Sequence, residues 1–561
     1  MTIVVPALRA AVAPAPWVKN ELWRNAREVP SLDLRFAEDK SLVDATTGSN
    51  LVDHTRASSG TYVGSDGLIR TAVTNLLTYS EDFSNAAWDT LTSATKVSAT
   101  GVDDPFGGTT ASTWKNNGTT TADGGIRRTI SGTSGLAYTY SVWIRRRTGT
   151  GAIALVAGQN VDFDITSQVT SSWTRISVTN TADAATRAYI FIYTPGDEID
   201  IWGAQLEQSS TVGEYIPTAS TINSAPRFDH DPETGESLGL LVEESRTNFM
   251  LYSETILSNV VSGPNRSISD NSAVSPAGTI TAASVTATGN DPYVVVETAT
   301  GVTAGTYTFS VYLKGAAGNS SQACRLRIQD AGTGLQSGNL FTITTEWRRY
   351  SFTATTTGDL QSVRMDIPDN AVSGDIVYVW GLQAEAGSFP TSYIPTEGST
   401  VTRAADVASI SGSNFSSWYN QSEGTVFYEG QVLGSDPTSN QDMLGVSDGT
   451  SSNAIEVFVP SGSYQRFKMS LGGVTQALQN IVGTPDVYQP VKAAYAFELD
   501  NTTSAGNGTV SGTDTSCSVP TVDRFTFGTP VTGEPELTAR YKRLTYWPQR
   551  LPNDTLQTIT Q

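Results

Sequence analysis

Seventeen residues of this chain are written twice. WGAQLEQSSTVGEYIPT (202–218) returns as WGLQAEAGSFPTSYIPT (380–396), and a duplication of that length restricts the fold more than composition does, because each copy has to be a self-similar structural unit. The echo extends upstream in one order. NLLTYSE (75–81) answers NFMLYSE (248–254), YTYSVWIRR (138–146) answers YTFSVYLKG (307–315), and SWTRISVT (172–179) answers EWRRYSFT (346–353). Corresponding positions lie 169 to 178 residues apart, so the drift belongs in loops between preserved elements. Two homologous domains follow, each roughly 150 residues, near the usual domain size.

Inside each copy the period is two. Tyr138, Tyr140, Val142 and Ile144 share one face and Thr139, Ser141, Trp143 and Arg145 the other; Tyr307, Phe309, Val311 and Leu313 repeat this against Thr308, Ser310, Tyr312 and Lys314. That is the signature of strands with one face in a core. Ile199 and Ile201, and Val377 and Val379, alternate before each Trp-Gly, where Gly203 and Gly381 mark a bend or bulge. Trp173, Trp347, Trp202 and Trp380 stand beside these strand patterns in both copies and are expected to fill the core. The fold predicted is all-β and multidomain: two homologous jelly-roll-like β-sandwiches, then a third sandwich, after a short N-terminal attachment segment.

The boundaries read as 1–30 for the attachment segment, 31–74 for a β-rich connecting region, and 75–225 for repeat 1. A hairpin linker at 226–246 leads to repeat 2 at 247–403, a linker at 404–422, and the last domain at 423–561. Across the first segment, Pro16 and Pro30 bracket a short helix whose Val18, Leu22, Ala26 and Val29 form an apolar stripe joined by Trp17 and Trp23. Such a stripe needs a partner, either another protein or the chain itself.

Charge removes several functions. The chain has 561 residues and a formal net charge of −20, which repels phosphate backbones and argues against nucleic acid as a partner. Cys324 and Cys517 are the only cysteines, too few for a disulfide framework or a zinc site. His54 and His230 are the only histidines, and neither sits in a triad-like motif. No segment is long and apolar enough to span a membrane, and 1–10 is too short and interrupted for a cleaved signal. The expectation is a soluble chain without membrane insertion.

Beyond the repeats, SLDLRFAEDKSLVDATTGSNL (31–51), TRASSGTYVGSDGLIRTAVTN (55–75), PRFDHDPETGESLGLLVEESRTN (226–248), NLLTYSEDFSNAAW (75–88) and TRAAD (402–406) resemble segments of tailed-bacteriophage virion proteins of the head-spike and tail-fibre type. In the familiar arrangement GTYVGSDG leads directly into PRFDHDP, whereas here the first sandwich stands between them. The repeated domain is similar to carbohydrate-binding modules of the jelly-roll type. The C-terminal unit, ending in KRLTYWPQRLPN (542–553), resembles concanavalin-like or laminin-G-like lectin domains. The resemblance implies a virion structural protein displayed on the particle surface, with capsid, portal or tail proteins as partners. It also implies contact with host-surface polysaccharide, homo-oligomerisation (commonly as a trimer) and no cofactor. Its rivals are a head-decorating or capsid-stabilising protein with no receptor role and a glycan-degrading spike.

Four groups of residues are candidates for sites. Trp143 with Arg145, and Tyr312 with Lys314, pair an aromatic ring with a cation on the outer face of matching strands, which suits a sugar's C–H face and hydroxyls; the alternative is a ring covered by a loop or a neighbouring subunit. Asp229, Asp231 and Glu233 before Gly235 loosely suggest a calcium loop, but Leu240 stands where an EF-hand needs its closing Glu. DEIDIWGAQ (197–205) resembles the acidic strand of concanavalin-like glucanases, yet Ile376 and Tyr378 replace Glu198 and Asp200 in the second copy, so no catalytic residue is assigned. Trp17, Val18, Leu22 and Trp23 are the candidates for virion attachment.

Overall fold

The computed structural model describes residues 20–561 apart from 92–93, 120–123, 369–370, 435–439, 461–463, 482–488 and 529–536. The chain forms two compact units. Of the described residues, one comprises those in 55–61 and 71–226; the other takes those in 20–54, 62–70 and 227–561.

The first of these units is repeat 1. Its first sheet has the order Thr174–Thr181, Ala137–Thr148, Glu198–Glu207, Ala111–Asn116, Ala94–Val102, and its second Phe163–Asp164, Ile153–Gly158, Ala185–Ile192, Gly125–Ser131, Asp89–Thr90. The inward residues Tyr140, Val142, Ile144, Leu155, Ile190 and Ile201 make one core between the sheets. The domain begins and ends at one place, since Thr74 and Asn75 pair antiparallel with Ser224 and Asn223.

Repeat 2, in the other unit, has the same trace. Arg348–Thr355, Thr306–Gly315, Ile376–Ala386, Ala282–Ala287 and Arg266–Ala273 follow the order of the first sheet of repeat 1; Gly334–Ser337, Ala323–Asp330, Leu360–Asp366, Tyr293–Glu297 and Val260–Ser262 follow that of the second. The Trp-Gly pairs are bulges in both. The register slips between Ser141 and Trp143 against the 198–207 strand, and between Ser310 and Tyr312 against the 376–386 strand. Gly203 and Gly381 sit there at φ +62° and +67°, a conformation that costs a side chain energy. Trp202, next after the inward Ile201, already points outward by alternation; the slip at Gly203 then resets the inward positions from Ile199 and Ile201 to Ala204 and Leu206.

The third sandwich draws on more of the chain than 423–561. One sheet runs Arg227–His230, Ser237–Val242, Thr538–Trp547, Gly424–Gly434, Val491–Glu498, Asn501–Gly506, Thr509–Val510, and Leu32–Leu34 also pairs with the Thr538–Trp547 strand. The facing sheet takes Val407–Ser411 beside Arg524–Phe527 and then Gln441–Ser447, Ala454–Val459, Arg466–Leu471 and Val474–Asn480. Leu32, Leu34, Phe36, Leu240, Val242, Ile410, Phe415 and Trp418 all lie in its core. Segments whose sequence suggests connectors at 31–74, 226–246 and 404–422 therefore supply strands and core residues. A hairpin with one apolar face has to bury it, and the open edge of the Thr538–Trp547 strand receives it.

The N-terminal stripe is also filled from within. The helix is Glu21–Ala26, capped by Asn20 and ended by Arg27 in the left-handed region. Leu22, Trp23 and Ala26 pack with Phe427, Trp547, Leu556 and Ile559, so Leu22 and Trp23 are not offered to another protein; Val29 is exposed. Trp17 and Val18 lie outside the described residues.

Candidate functional site

Trp143 lies on the outer face of its strand, and its ring is partly covered. Trp202, Tyr215 and Phe106 surround it with ring centroids at 5.3, 5.1 and 5.6 Å, and the Arg175 guanidinium lies 4.7 Å over it. Gly203 is required beneath: a Cβ there would come within 2.9 Å of the Trp143 ring. Repeat 2 builds the same object. Tyr312 meets Trp380 at 5.6 Å, Trp380 meets Tyr393 at 4.5 Å, and Arg349 lies 5.5 Å over Tyr312. Burial pushes the Tyr312 hydroxyl's pKa up. These rings close an outer-face cluster in each repeat, separate from the core between the sheets. Trp202, Trp380, Trp173 and Trp347 all belong to it; the expectation that they fill the main core is corrected by their outward parity, since Ile201, Val379, Ile176 and Ala354, on the strands they belong to or lead into, face inward.

The other halves of the two candidate pairs differ. Arg145 Nε donates to Asp200 at 2.8 Å while its guanidinium stacks 4.7 Å over Trp173. Lys314 is partly buried and pairs across the sheet with Tyr378.

The duplicated seventeen residues are the fastening of this cluster. Gln205 holds its return loop by donating to the Glu214 carbonyl at 2.8 Å and accepting from Ile216 N at 2.8 Å; Gln383 does so with Ser392 at 3.2 Å and Ile394 at 2.7 Å. Tyr215 and Tyr393 reach Ser80 and Ser253 at 2.8 and 2.6 Å. The buried Asn75 amide donates to Ala204 and Ile216 carbonyls at 3.0 and 2.9 Å and accepts from Leu77 and Leu206 N, each at 3.2 Å. Asn248 repeats all four with Leu382, Ile394, Met250 and Ala384. Arg175, Arg349, Tyr215 and Tyr393 were not singled out from the sequence, although their recurrence in both copies is a visible signal.

The carboxylates of the acidic strand are paired with cations. Asp200 accepts from Arg145 and, at 2.6 Å, from Thr113; Asp197 is 3.1 Å from Arg146; Glu198 is 3.4 Å from Lys115. The proposed calcium ligands do not converge. Asp229 takes Val63 N at 2.8 Å and Arg540 Nε at 2.8 Å, Asp231 caps its own turn through Glu233 N and Thr234 N, and Glu233 pairs with Arg348 at 2.8 Å. Among the described residues no group of three His, Cys, Asp or Glu side chains is placed to hold a metal ion.

A different polar cluster emerges from segments far apart in sequence. Arg227 donates to Glu243 at 2.6 Å and to Asp406, Glu243 accepts from Ser392 N and Oγ at 2.7 and 2.6 Å, and Arg403 Nε is 3.5 Å from Glu243. All four charged side chains are at most 2% exposed. His54 Nε2 stands 3.3 Å from Asp406. Burial opposes ionisation of Glu243, but the Arg403 and Arg227 guanidiniums and the Ser392 hydroxyl outweigh it and hold its pKa at about 2.

Repeat 1 also has an open cleft of about 400 Å³, lined among others by Tyr79, Glu81, Asp82, Lys96, Thr110 and Ser112. Tyr79 stands at its edge with φ +55°. Burial pushes the Glu81 carboxyl pKa up against the hydrogen bond from Tyr215. The cleft presents hydroxyls and charges of both signs next to the aromatic cluster, because Thr110 Oγ1 accepts from Trp202 Nε1 at 2.8 Å.

No family model matches the chain, and no curated protein matches its sequence. Among solved structures it is similar to the CBM40 of a Ruminococcus gnavus IT-sialidase bound to α2,3-sialyllactose, at 13% identity over 25% of this chain and 84% of that one, TM-score 0.23. It is also similar to a CBM22-1–CBM22-2 tandem domain from Paenibacillus barcinonensis Xyn10C, at 10% identity over 56% and 98%, TM-score 0.20. A third likeness, the receptor-binding domain of botulinum neurotoxin mosaic serotype C/D, has 10% identity over 28% and 39%, TM-score 0.22. TM-scores this low say nothing about a ligand of this chain.

Proposed function

We propose that the chain is a structural component of a bacteriophage particle: a fibre or spike, exposed on the virion surface, that contacts host-surface glycans during adsorption. The observation that supports this best is the buried charge cluster. Arg227, Glu243, Arg403 and Asp406 come from the very segments, PRFDHDP, LLVEESRTN and TRAAD, that resemble phage virion proteins. Those segments thus have a shared mechanical task, joining repeat 2 to the third sandwich. The rest of the architecture suits a chemically inert spacer: the rings beside the two Trp-Gly bulges pack with their own return loops, and the carboxylates of the acidic strand are paired with Arg145, Arg146 and Lys115 rather than left to attack a glycosidic bond. On this reading the protein performs no covalent step, engages capsid, portal or tail proteins, and gains avidity from many copies on one particle.

Antibodies raised against the purified chain test this reading. They should decorate intact particles, and the purified chain should compete with the particles for host cells. Particles that remain unlabelled while the antibodies recognise the free chain would refute the assignment.

A further inference from the structure

Repeat 1 differs from its twin on the outer side of its second sheet. The strand Ala185–Ile192 sends Ala188, Ile190 and Ile192 into the core, and its outward positions are Arg187, Tyr189 and Phe191, followed by Tyr193. The rings follow one another at 6.0 and 5.8 Å between centroids. A solvent-facing strand ordinarily carries Thr, Ser or Lys at such positions. The sheet is shaped to receive the rings: Gly125 pairs with Phe191, where a Cβ would come within 2.9 Å of that ring. The cross-strand neighbours Ala154 and Val156 are small and buried.

Polar groups edge the strip. Tyr193 donates to Asp162, Tyr189 shares a hydrogen bond of 2.7 Å with Thr129, Arg127 pairs across from Tyr189, and Arg187 is 3.1 Å from Asp183. The counterpart strand of repeat 2, Leu360–Asp366, presents Ser362, Arg364 and Asp366 instead. There Asp366 gathers Arg327 and Arg364, each at 2.6 Å, and Arg364 lies 3.5 Å over Tyr293. The common scaffold therefore does not require the aromatic strip, and in the twin the same face is closed by ion pairs.

We propose that this strip, with Tyr189, Phe191 and Tyr193 as stacking plates and Arg127 and Asp162 as hydroxyl partners, binds a single chain of a hexose polysaccharide. The inference rests on the glycan-contacting function proposed above and names its site. Sugar C–H faces stack on aromatic rings while planar charged groups take the hydroxyls. The strip is one strand wide and edged by charges of both signs, which suits a single polymer chain rather than the broad apolar centre of a protein interface. Its ring planes turn by 84° and 37° between neighbours, which fits a soluble chain with rotated sugar units and does not fit the flat face of a crystalline polymer.

Affinity gel electrophoresis of the full-length protein tests this in gels containing hydroxyethyl cellulose, mixed-linkage β-glucan, galactomannan or dextran, with microcrystalline cellulose pull-down alongside. Wild type should be retarded by at least one soluble polymer and should not sediment with the crystalline one. Phe191→Ala and Tyr189→Ala, each verified as folded by a cooperative thermal transition, should weaken the retardation tenfold or more, and Arg364→Ala in the twin should not. Variants retarded as strongly as wild type would overturn the site and leave the glycan-contacting function standing. Wild type that passes every gel unretarded would overturn both.

Discussion

Replacing Glu243 by Gln removes one negative charge from a cluster with no access to water. Its carboxyl is held at about 2 against about 4.3 for an unperturbed Glu, and a pKa unit is worth about 1.4 kcal/mol, so its ionised form contributes about 3 kcal/mol to folding. The sign follows from a depressed folded-state pKa: this stability is present above pH of about 4.5 and is lost as pH falls towards 2, with about 2 kcal/mol gone by pH 3. At pH 7 the substitution also leaves the buried Arg227 and Arg403 short of a counter-charge, a loss of about 3–5 kcal/mol. Urea unfolding followed by near-ultraviolet circular dichroism at pH 7, 5 and 3 measures both effects. Wild type should lose more stability than Glu243→Gln between pH 5 and pH 3. Parallel pH slopes for the two proteins, or a cost under about 1 kcal/mol at pH 7, would refute the assignment of Glu243 as a buried ionic anchor.

Three further outcomes follow from the same geometry. Gly203→Ala, which places a methyl group against the Trp143 ring at a positive φ, should destabilise repeat 1 by about 1–3 kcal/mol in thermal unfolding. Asn248→Ala strands two carbonyls and two amides of repeat 2 and should cost at least about 2 kcal/mol by the same assay. A fragment spanning only 423–561 lacks Leu32, Leu34, Phe36, Leu240 and Val242 of its own core; it should show no cooperative unfolding transition, whereas the full chain should.

Much of the architecture can be read from the duplication. Period-two alternation places Tyr140, Val142 and Ile144 in the core of repeat 1, and the glycine after each tryptophan marks the bulge. Alternation slips just beyond that tryptophan, because one inserted residue moves the inward positions to Ala204 and Leu206 and to Leu382 and Ala384; Trp202 and Trp380 themselves follow Ile201 and Val379 and so face outward, which alternation alone already signals. The third sandwich is legible only in part. Leu32–Leu34 pairs with residues 544–546, and no local pattern signals a partner more than five hundred positions away. The charge cluster is similarly spread over Arg227, Glu243, Arg403 and Asp406, each unremarkable by itself. The aromatic strip was present in the sequence as RAYIFIYT (187–194); its meaning comes from parity in the folded sheet and from comparison with the twin strand.

Electron cryomicroscopy of the intact particle tests the central claim most directly. Density for the chain should stand outside the shell, with the 185–192 strand of repeat 1 facing solvent. Absence of the chain from the particle, or that strand sealed beneath another virion protein, would contradict it.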